Sequence, residues 1–230
     1  MAQQTQPQNG NQGQQQQQQK RPQYDPYAAQ RQQRELNERR LSAFENLAYG
    51  TRFGGLEYQS SVSVLNQARA VARCVVASRG ERAASLVRLG ETQNYEAMVG
   101  AIARSHPICV EQMQFAVPAE YLQAAIAERL VGQAPTIIRL GPAEAKDFIY
   151  GEGVKVTMDT VARCVAYTNA SAVGAYLGRD PSQEETDERS RLKALYASAS
   201  NCGVDEVPDI SPIEQRRSLA LGLFQLAQRS

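Results

Sequence analysis

"TMDTVARCVAYTNASAVGAYL", residues Thr157 to Leu177, carries small or apolar side chains on almost every face of a helix. At 3.6 residues per turn, Val161, Cys164, Val165, Ala172 and Tyr176 form one stripe, while Ala162, Ala166, Val173 and Leu177 form a second beside it. A helix that is apolar nearly all round belongs in the middle of a bundle. Its alanines, with Gly174, would let neighbouring backbones approach closely. This stretch predicts an all-α fold with a helical-bundle core.

Around it, glycine and proline divide the chain. Residues 1–33 hold fifteen glutamines with Pro7, Pro22 and Pro26, a polar tract that cannot bury enough apolar surface to offset its ordering entropy. A disordered Gln/Pro-rich arm is expected over 1–25. Asp25-Pro26 supplies a cap and a first helical position for an arm helix over 26–50, polar in front, with Leu41, Phe44, Leu47 and Ala48 docking behind. A helical core over 51–180 follows. Its long helix, Glu57 to Ser78, sets Val64, Leu65, Ala68, Val71, Ala72, Val75 and Val76 on one face and Asn66, Arg69 and Arg73 on the other. Shorter helices fall at Glu81–Leu89, Glu91–Ala103 and Pro118–Val131, separated by Gly90, Ser105-His106-Pro107 and Gly132. Another opens at Gly141-Pro142 and ends near Gly151. The β-branched stretches Thr136–Leu140 and Val154–Thr157 leave room for a small two-stranded β-ribbon.

The segment 181–230 contains a charged helix, an acidic linker and a C-terminal helix. Asp180-Pro181-Ser182-Gln183 and Ser211-Pro212-Ile213-Glu214 both read as capped helix starts. The helix after Asp180, with acids in its first turns and bases later, reads as solvent-exposed. The final helix, Pro212 to Gln228, is strongly amphipathic, and its apolar face must dock on its own core or on a neighbouring subunit.

The 230 residues suit one domain with arms. Formal net charge is +1, so there is no global basic field, yet 21 of the 25 basic residues are arginine, the better residue for bidentate phosphate contacts. Cys74, Cys109, Cys164 and Cys202 never form a C-x-x-C pair, and Cys74 and Cys164 read as small buried hydrophobes. With no secretory apolar region and no run long enough to cross a bilayer, the chain is expected to be cytoplasmic, in a reducing setting, without membrane contact.

No catalytic, metal or cofactor signature emerges. His106, the single histidine, sits in a turn without an acid or serine at triad spacing. "GEGVKV", Gly151 to Val156, lacks the third glycine of a dinucleotide fingerprint, and no phosphate-binding loop or Asp-rich calcium loop occurs. Arginine remains. From Arg52 to Arg104 there are seven basic and four acidic residues. Asn66, Arg69, Arg73, Arg79, Arg82 and Arg88 make a candidate row for a phosphate backbone. The same row also reads as ordinary helix surface paired with Glu57, Glu81 or Glu91. Tyr49, Phe53, Tyr58 and Tyr95 are candidates for stacking on bases.

The layout of a mobile arm, a helical core and an amphipathic end resembles the coat and nucleocapsid proteins of RNA viruses with helical or filamentous particles. "AKDFIYGEG", Ala145 to Gly153, after Arg139, is the stretch nearest to the arginine and Phe-Asp-Phe-like pattern of flexible filamentous plant-virus coats, and it departs from that pattern. Alanine, serine and proline make up about a quarter of the chain, which is similar to the proline-alanine-serine-rich proteins that coat some fungal-virus genomes. These resemblances imply a non-enzymatic protein that coats RNA without reading its sequence, self-assembles into an oligomer or filament through terminal arms, and resides in a virion and host cytoplasm. The alternative is a helical protein-interaction or assembly adaptor that binds no nucleic acid.

Overall fold

Local signals account for most helix ends in the computed structural model, which describes residues 27–45, 47–48, 57–132, 140–151, 156–206 and 209–229. The chain divides into a short unit, Met1–Leu36, and a large one, Asn37–Ser230. Helix α1 spans Ala28–Glu45, shorter at both ends than the expected 26–50. Its side chains from Ala28 to Arg39 are all exposed. The arm expected over 1–25 lies outside the described residues, as do the side chains of Leu41, Phe44 and Ala48. Leu47 is buried, in a two-residue strand β1, Leu47–Ala48.

The large unit is all-α. Helix α2, Tyr58–Arg79, matches the apolar periodicity closely, and Val62, Leu65, Ala68, Val71, Ala72, Val75 and Val76 are buried along it. A 3₁₀ turn at Gly80–Ala83 leads into α3, Ala84–Glu91. Gly90 is not the separator that the sequence implied. It is buried inside α3, where a Cβ would sit 2.4 Å from the Gln123 side chain, so it lets two helices approach. The chain turns instead at Gln93, whose φ of 57° is left-handed, and Asn94 then caps α4, Tyr95–Ser105, by accepting from the Ala97 N–H. Pro107 begins a short α5, Pro107–Glu111, where only a break was expected. Strand β2, Val117–Pro118, pairs parallel with β1, and α6 follows at Ala119–Val131. This is the only strand pairing among the described residues. Most of the ribbon expected from Thr136–Leu140 and Val154–Thr157 falls outside the described residues. The Glu144 carboxylate accepts from the Gly141 N–H and starts α7, Pro142–Tyr150.

The stretch Thr157–Leu177 is not one helix. It forms α8, Met158–Thr168, and α9, Ala170–Leu177, because Asn169 ends one and caps the other. Its Oδ1 accepts from the Ala172 N–H, and its Nδ2 donates to Ser198 Oγ. The start expected at Asp180-Pro181 is also displaced: α10 spans Glu185–Ala197, and residues 178–184 form a loop. Nor is α10 wholly exposed, since Glu188, Leu192 and Leu195 are buried. After the 3₁₀ turns Ser200–Cys202 and Val204–Glu206, Ser211 caps α11, Pro212–Ala227, as expected.

Helix α11 docks on its own chain. It packs on both α8 and α6, while α6 also packs on α2. Gly222, and not Gly174, is the site of close approach: a Cβ there would lie 3.0 Å from the Ala162 backbone, whereas Gly174 has open space around it. The sequence pointed to α8 as the centre of the bundle, but α6 and α11 hold that place, with α8 packed against α11. No helix among the described residues is long and apolar enough to cross a membrane.

A buried ion network ties these helices together. Arg216 on α11 is 1% exposed, and its guanidinium reaches Glu128 on α6 at 3.2 Å and Glu188 on α10 at 3.5 Å. It also donates to the Leu177 and Arg179 carbonyls, at 2.7 and 2.6 Å, and lies over the Tyr176 ring. Glu188 accepts from the Tyr176 hydroxyl, the Ser182 N–H and Arg191. Burial works against the Arg216 charge, but Glu128, Tyr176 and Glu188 outweigh it and hold its pKa above the usual arginine value. Removing one partner from such a network strands the others without compensation. Arg216→Met should therefore lower the unfolding free energy by about 3–5 kcal/mol, whereas the exposed Arg73→Gln should change it by less than about 0.5 kcal/mol. Urea unfolding of the two variants tests this contrast.

The cysteines are paired, which corrects their reading as isolated hydrophobes. Cys74–Cys109 joins α2 to α5, and Cys164–Cys202 joins α8 to the Ser200–Cys202 turn. Loops of this length lose roughly 4 kcal/mol of unfolded-state entropy per bond in the chain-entropy model. Denatured, unreduced protein should take up no thiol alkylating agent, and reduction should expose four thiols and lower the melting temperature. Uptake of alkylating agent before reduction would contradict the pairing.

Candidate nucleic-acid interface

The six residues of the candidate row separate into two groups. Arg69 belongs to the interior. Its Nε donates to Glu128 at 2.8 Å and its Nη1 to Asp180 at 2.6 Å, making it an outer member of the Arg216 network. The Arg69 guanidinium holds the Asp180 carboxyl below its ordinary range, first through the hydrogen bond and then through its charge. Asn66 is half-buried beside it on α2, and Arg73, one turn further on, is exposed. The expected pairing with Glu57, Glu81 or Glu91 is not what occupies Arg69; its partners come from α6 and the loop after α9.

Arg79, Arg82 and Arg88 come together. The end of α2, the 3₁₀ turn and α3 fold around an open cleft of about 520 Å³ lined by Ser78, Arg79, Glu81, Arg82, Ala84, Ser85 and Arg88. The turn at Gly80, with φ of 57°, makes this possible, because it reverses the chain between the first two arginines without steric strain. Among the described residues no carboxylate lies within salt-bridge distance of Arg73, Arg79, Arg82 or Arg88. Arg88 has a neutral partner, donating through Nη2 to the Gln228 side chain. Glu81 is the one acid in the lining, so the cleft holds three cations against one anion. Ser78 and Ser85 were absent from the sequence reading, and both hydroxyls donate to carbonyls one turn back, Val75 and Arg82. Helical serines of this kind leave no mark in a sequence that distinguishes cleft from surface.

His106 reaches the rim of the cleft. Its Nδ1 lies 3.1 Å from Ser78 Oγ, although the two are far apart in sequence. Since the Ser78 hydroxyl hydrogen goes to the Val75 carbonyl, the Ser78 oxygen is left to accept from the imidazole. His106 thereby holds the α4–α5 junction onto α2, beside the Cys74–Cys109 bond. Burial first, and then the Arg79 cation, keep its pKa below the usual 6.5. Of the four aromatic candidates, Tyr49 and Phe53 lie outside the described residues, while Tyr58 and Tyr95 pack against the core. Tyr58 also donates its hydroxyl to the Ser182 carbonyl. Among the described residues no group of three His, Cys, Asp or Glu side chains is placed to hold a metal ion. No family model matches the chain, and no curated protein or solved structure matches it either.

His106 gives a direct reading of this electrostatic environment. A folded-state value below 6.5 means that the unfolded chain binds the proton more readily. The stabilising contribution of His106 is thus complete above pH 6.5 and is lost as pH falls through the folded value. As the single histidine, it should show one imidazole proton resonance titrating below 6.5. Arg79→Gln should move that titration upward, and an unchanged titration would mean that Arg79 is screened from it.

Proposed function

We propose that this chain is a non-enzymatic protein that holds single-stranded RNA by its phosphates, without reading sequence, and assembles in many copies as a coat or nucleocapsid does. The observation that carries the reading is the cleft between Arg79 and Arg88, where three guanidinium groups stand without carboxylate partners among the described residues. Guanidinium groups meet phosphate oxygens bidentately, and such contacts position a nucleic acid without specifying its bases. Serine hydroxyls in the lining offer further hydrogen bonds to phosphate or ribose.

The arm for assembly is α1. Its first twelve residues are exposed, Arg34, Leu36 and Arg39 among them, and so leave a helix surface for a neighbouring copy. The C-terminal helix is not such an arm, because α11 fills its own core. An adaptor that captures a protein through that helix is correspondingly less well supported. Two disulfides suit an oxidising setting better than the reducing cytoplasm, and a coat that leaves the cell meets one.

Filter binding of a single-stranded RNA across a salt series tests the reading. The wild-type chain should bind with an affinity that falls as salt rises. Arg79→Gln with Arg82→Gln should flatten the dependence of log K on log salt by about 0.7 for each phosphate that is no longer neutralised. Electron microscopy of the same sample should show multimeric particles that disappear on removing residues 1–36. Absence of salt-dependent RNA binding overturns the coat function and favours an adaptor.

A further inference from the structure

A second cleft, of about 430 Å³, adjoins the first through a shared residue. Arg88 lines both. The second is lined also by Arg163 from α8, Arg229 after α11, Gln225 and Gln228 of the last helix and its end, and Glu91, Asp147, Phe148 and Gly151. Arg229 is spoken for in part: it meets Asp147 at 3.1 Å and lies over the Phe148 ring, 5.8 Å from its centre, with both charged groups well exposed. An exposed pair of that kind is weak and exchangeable.

Arg163 is different. It sits on α8, half-buried, and its Nε donates to the Ile149 carbonyl at 3.0 Å. Among the described residues no carboxylate lies within salt-bridge distance of it. Burial lowers its pKa, Asp159 opposes that, and Arg229 adds to it. A half-buried guanidinium that feels Asp159 through its charge but has no carboxylate at salt-bridge distance among the described residues can still accept an anion at its Nη atoms. Three cations against Glu91 and Asp147 leave the cleft net positive, and two glutamine amides lie among them to donate to an anion.

We infer that the second cleft takes a further phosphate of the same RNA strand, so that the path runs from Arg79 and Arg82 through Arg88 to Arg163 and Arg229. This rests on the proposed RNA-binding function and extends it, since it names the direction of the strand across the fold. Arg88 is the joint of the path. Its hydrogen bond to Gln228 fixes the guanidinium between the two clefts.

The test uses the full chain and a single-stranded homopolymeric oligouridylate. Arg163→Gln and Arg229→Gln are compared with Arg79→Gln/Arg82→Gln, each first checked for wild-type helicity by circular dichroism. Each second-cleft variant should bind more weakly and lower the salt slope by about 0.7, the share of one phosphate on a single strand. Arg229 is exposed, so its variant serves even if Arg163→Gln does not fold. If the first-cleft variant weakens binding while Arg163→Gln or Arg229→Gln leaves affinity and slope unchanged, the path stops at Arg88 and this inference falls while the function stands. If the wild-type chain shows no salt-dependent binding, both fall. Binding that survives every change would place the RNA elsewhere and overturn both assignments.

Discussion

The Arg216 guanidinium is the constraint on which the rest of the large unit depends. Three cations, Arg216, Arg69 and Arg191, face three carboxylates, Glu128, Glu188 and Asp180, so the cluster is neutral as a whole although it draws on α2, α6, α10, α11 and the loop after α9. Hydrophobic packing alone is tolerant of sliding, because any apolar face can meet another. A charge that is 1% exposed tolerates much less. It demands its partners at particular places, so the network fixes the rotation of α11 against α6 and the position of the 178–184 loop.

That loop, exposed over most of its length, shows how irregular backbone can be anchored on a helical protein by side chains from several helices. Residues 178–184 have no helical hydrogen-bond ladder, and buried backbone groups without partners are costly. Side chains supply the partners: Arg216 takes the Arg179 carbonyl, Arg191 the Asp180 carbonyl, Tyr58 the Ser182 carbonyl and Glu188 the Ser182 N–H. The Tyr58 hydroxyl has its pKa pushed up to about 12, by burial first and then by Glu188 and Glu185, so it remains a donor at neutral pH. One end of the loop is thus tied to the first long helix and the other to the last.

These facts also explain which features were legible in the sequence. Periodicity marked α2, α6, α7 and α11 to within a few residues because each presents one apolar face and has a local start or stop. It failed at Asn169, where a polar side chain breaks an apolar run by capping, and the signal for that lies in a hydrogen bond to Ser198, 29 residues away. It failed at Asp180-Pro181 for the same kind of reason. A good capping sequence was diverted because Arg69, from far earlier in the chain, takes the Asp180 carboxylate. The cysteine pairs were equally hidden, since partners 35 and 38 residues apart give no local sign of meeting.

The candidate site was half legible, and the division follows from geometry. Arg69 and Arg73 share a helix face, but one turn along α2 changes what lies opposite: Glu128 on α6 faces Arg69, while Arg73 faces solvent. A sequence shows that two arginines are adjacent; whether a carboxylate crosses their helix depends on a packing partner nearly sixty positions away. Arg163 makes the converse point. It lies on a mostly apolar helix with Asp159 one turn before it and was absent from the sequence reading, yet the fold brings Arg88 and Arg229 to the same cleft. Near-neutral total charge is compatible with such a site, because Glu128 and Glu188 are engaged inside the fold, on Arg216, Arg69 and Arg191, while Arg79, Arg82, Arg88 and Arg163, without carboxylates at salt-bridge distance among the described residues, line clefts where α2, α3 and α8 meet solvent. At physiological salt, charges more than about 8 Å apart are largely screened from one another. An approaching phosphate therefore responds to those few guanidinium groups and not to the sum over the chain.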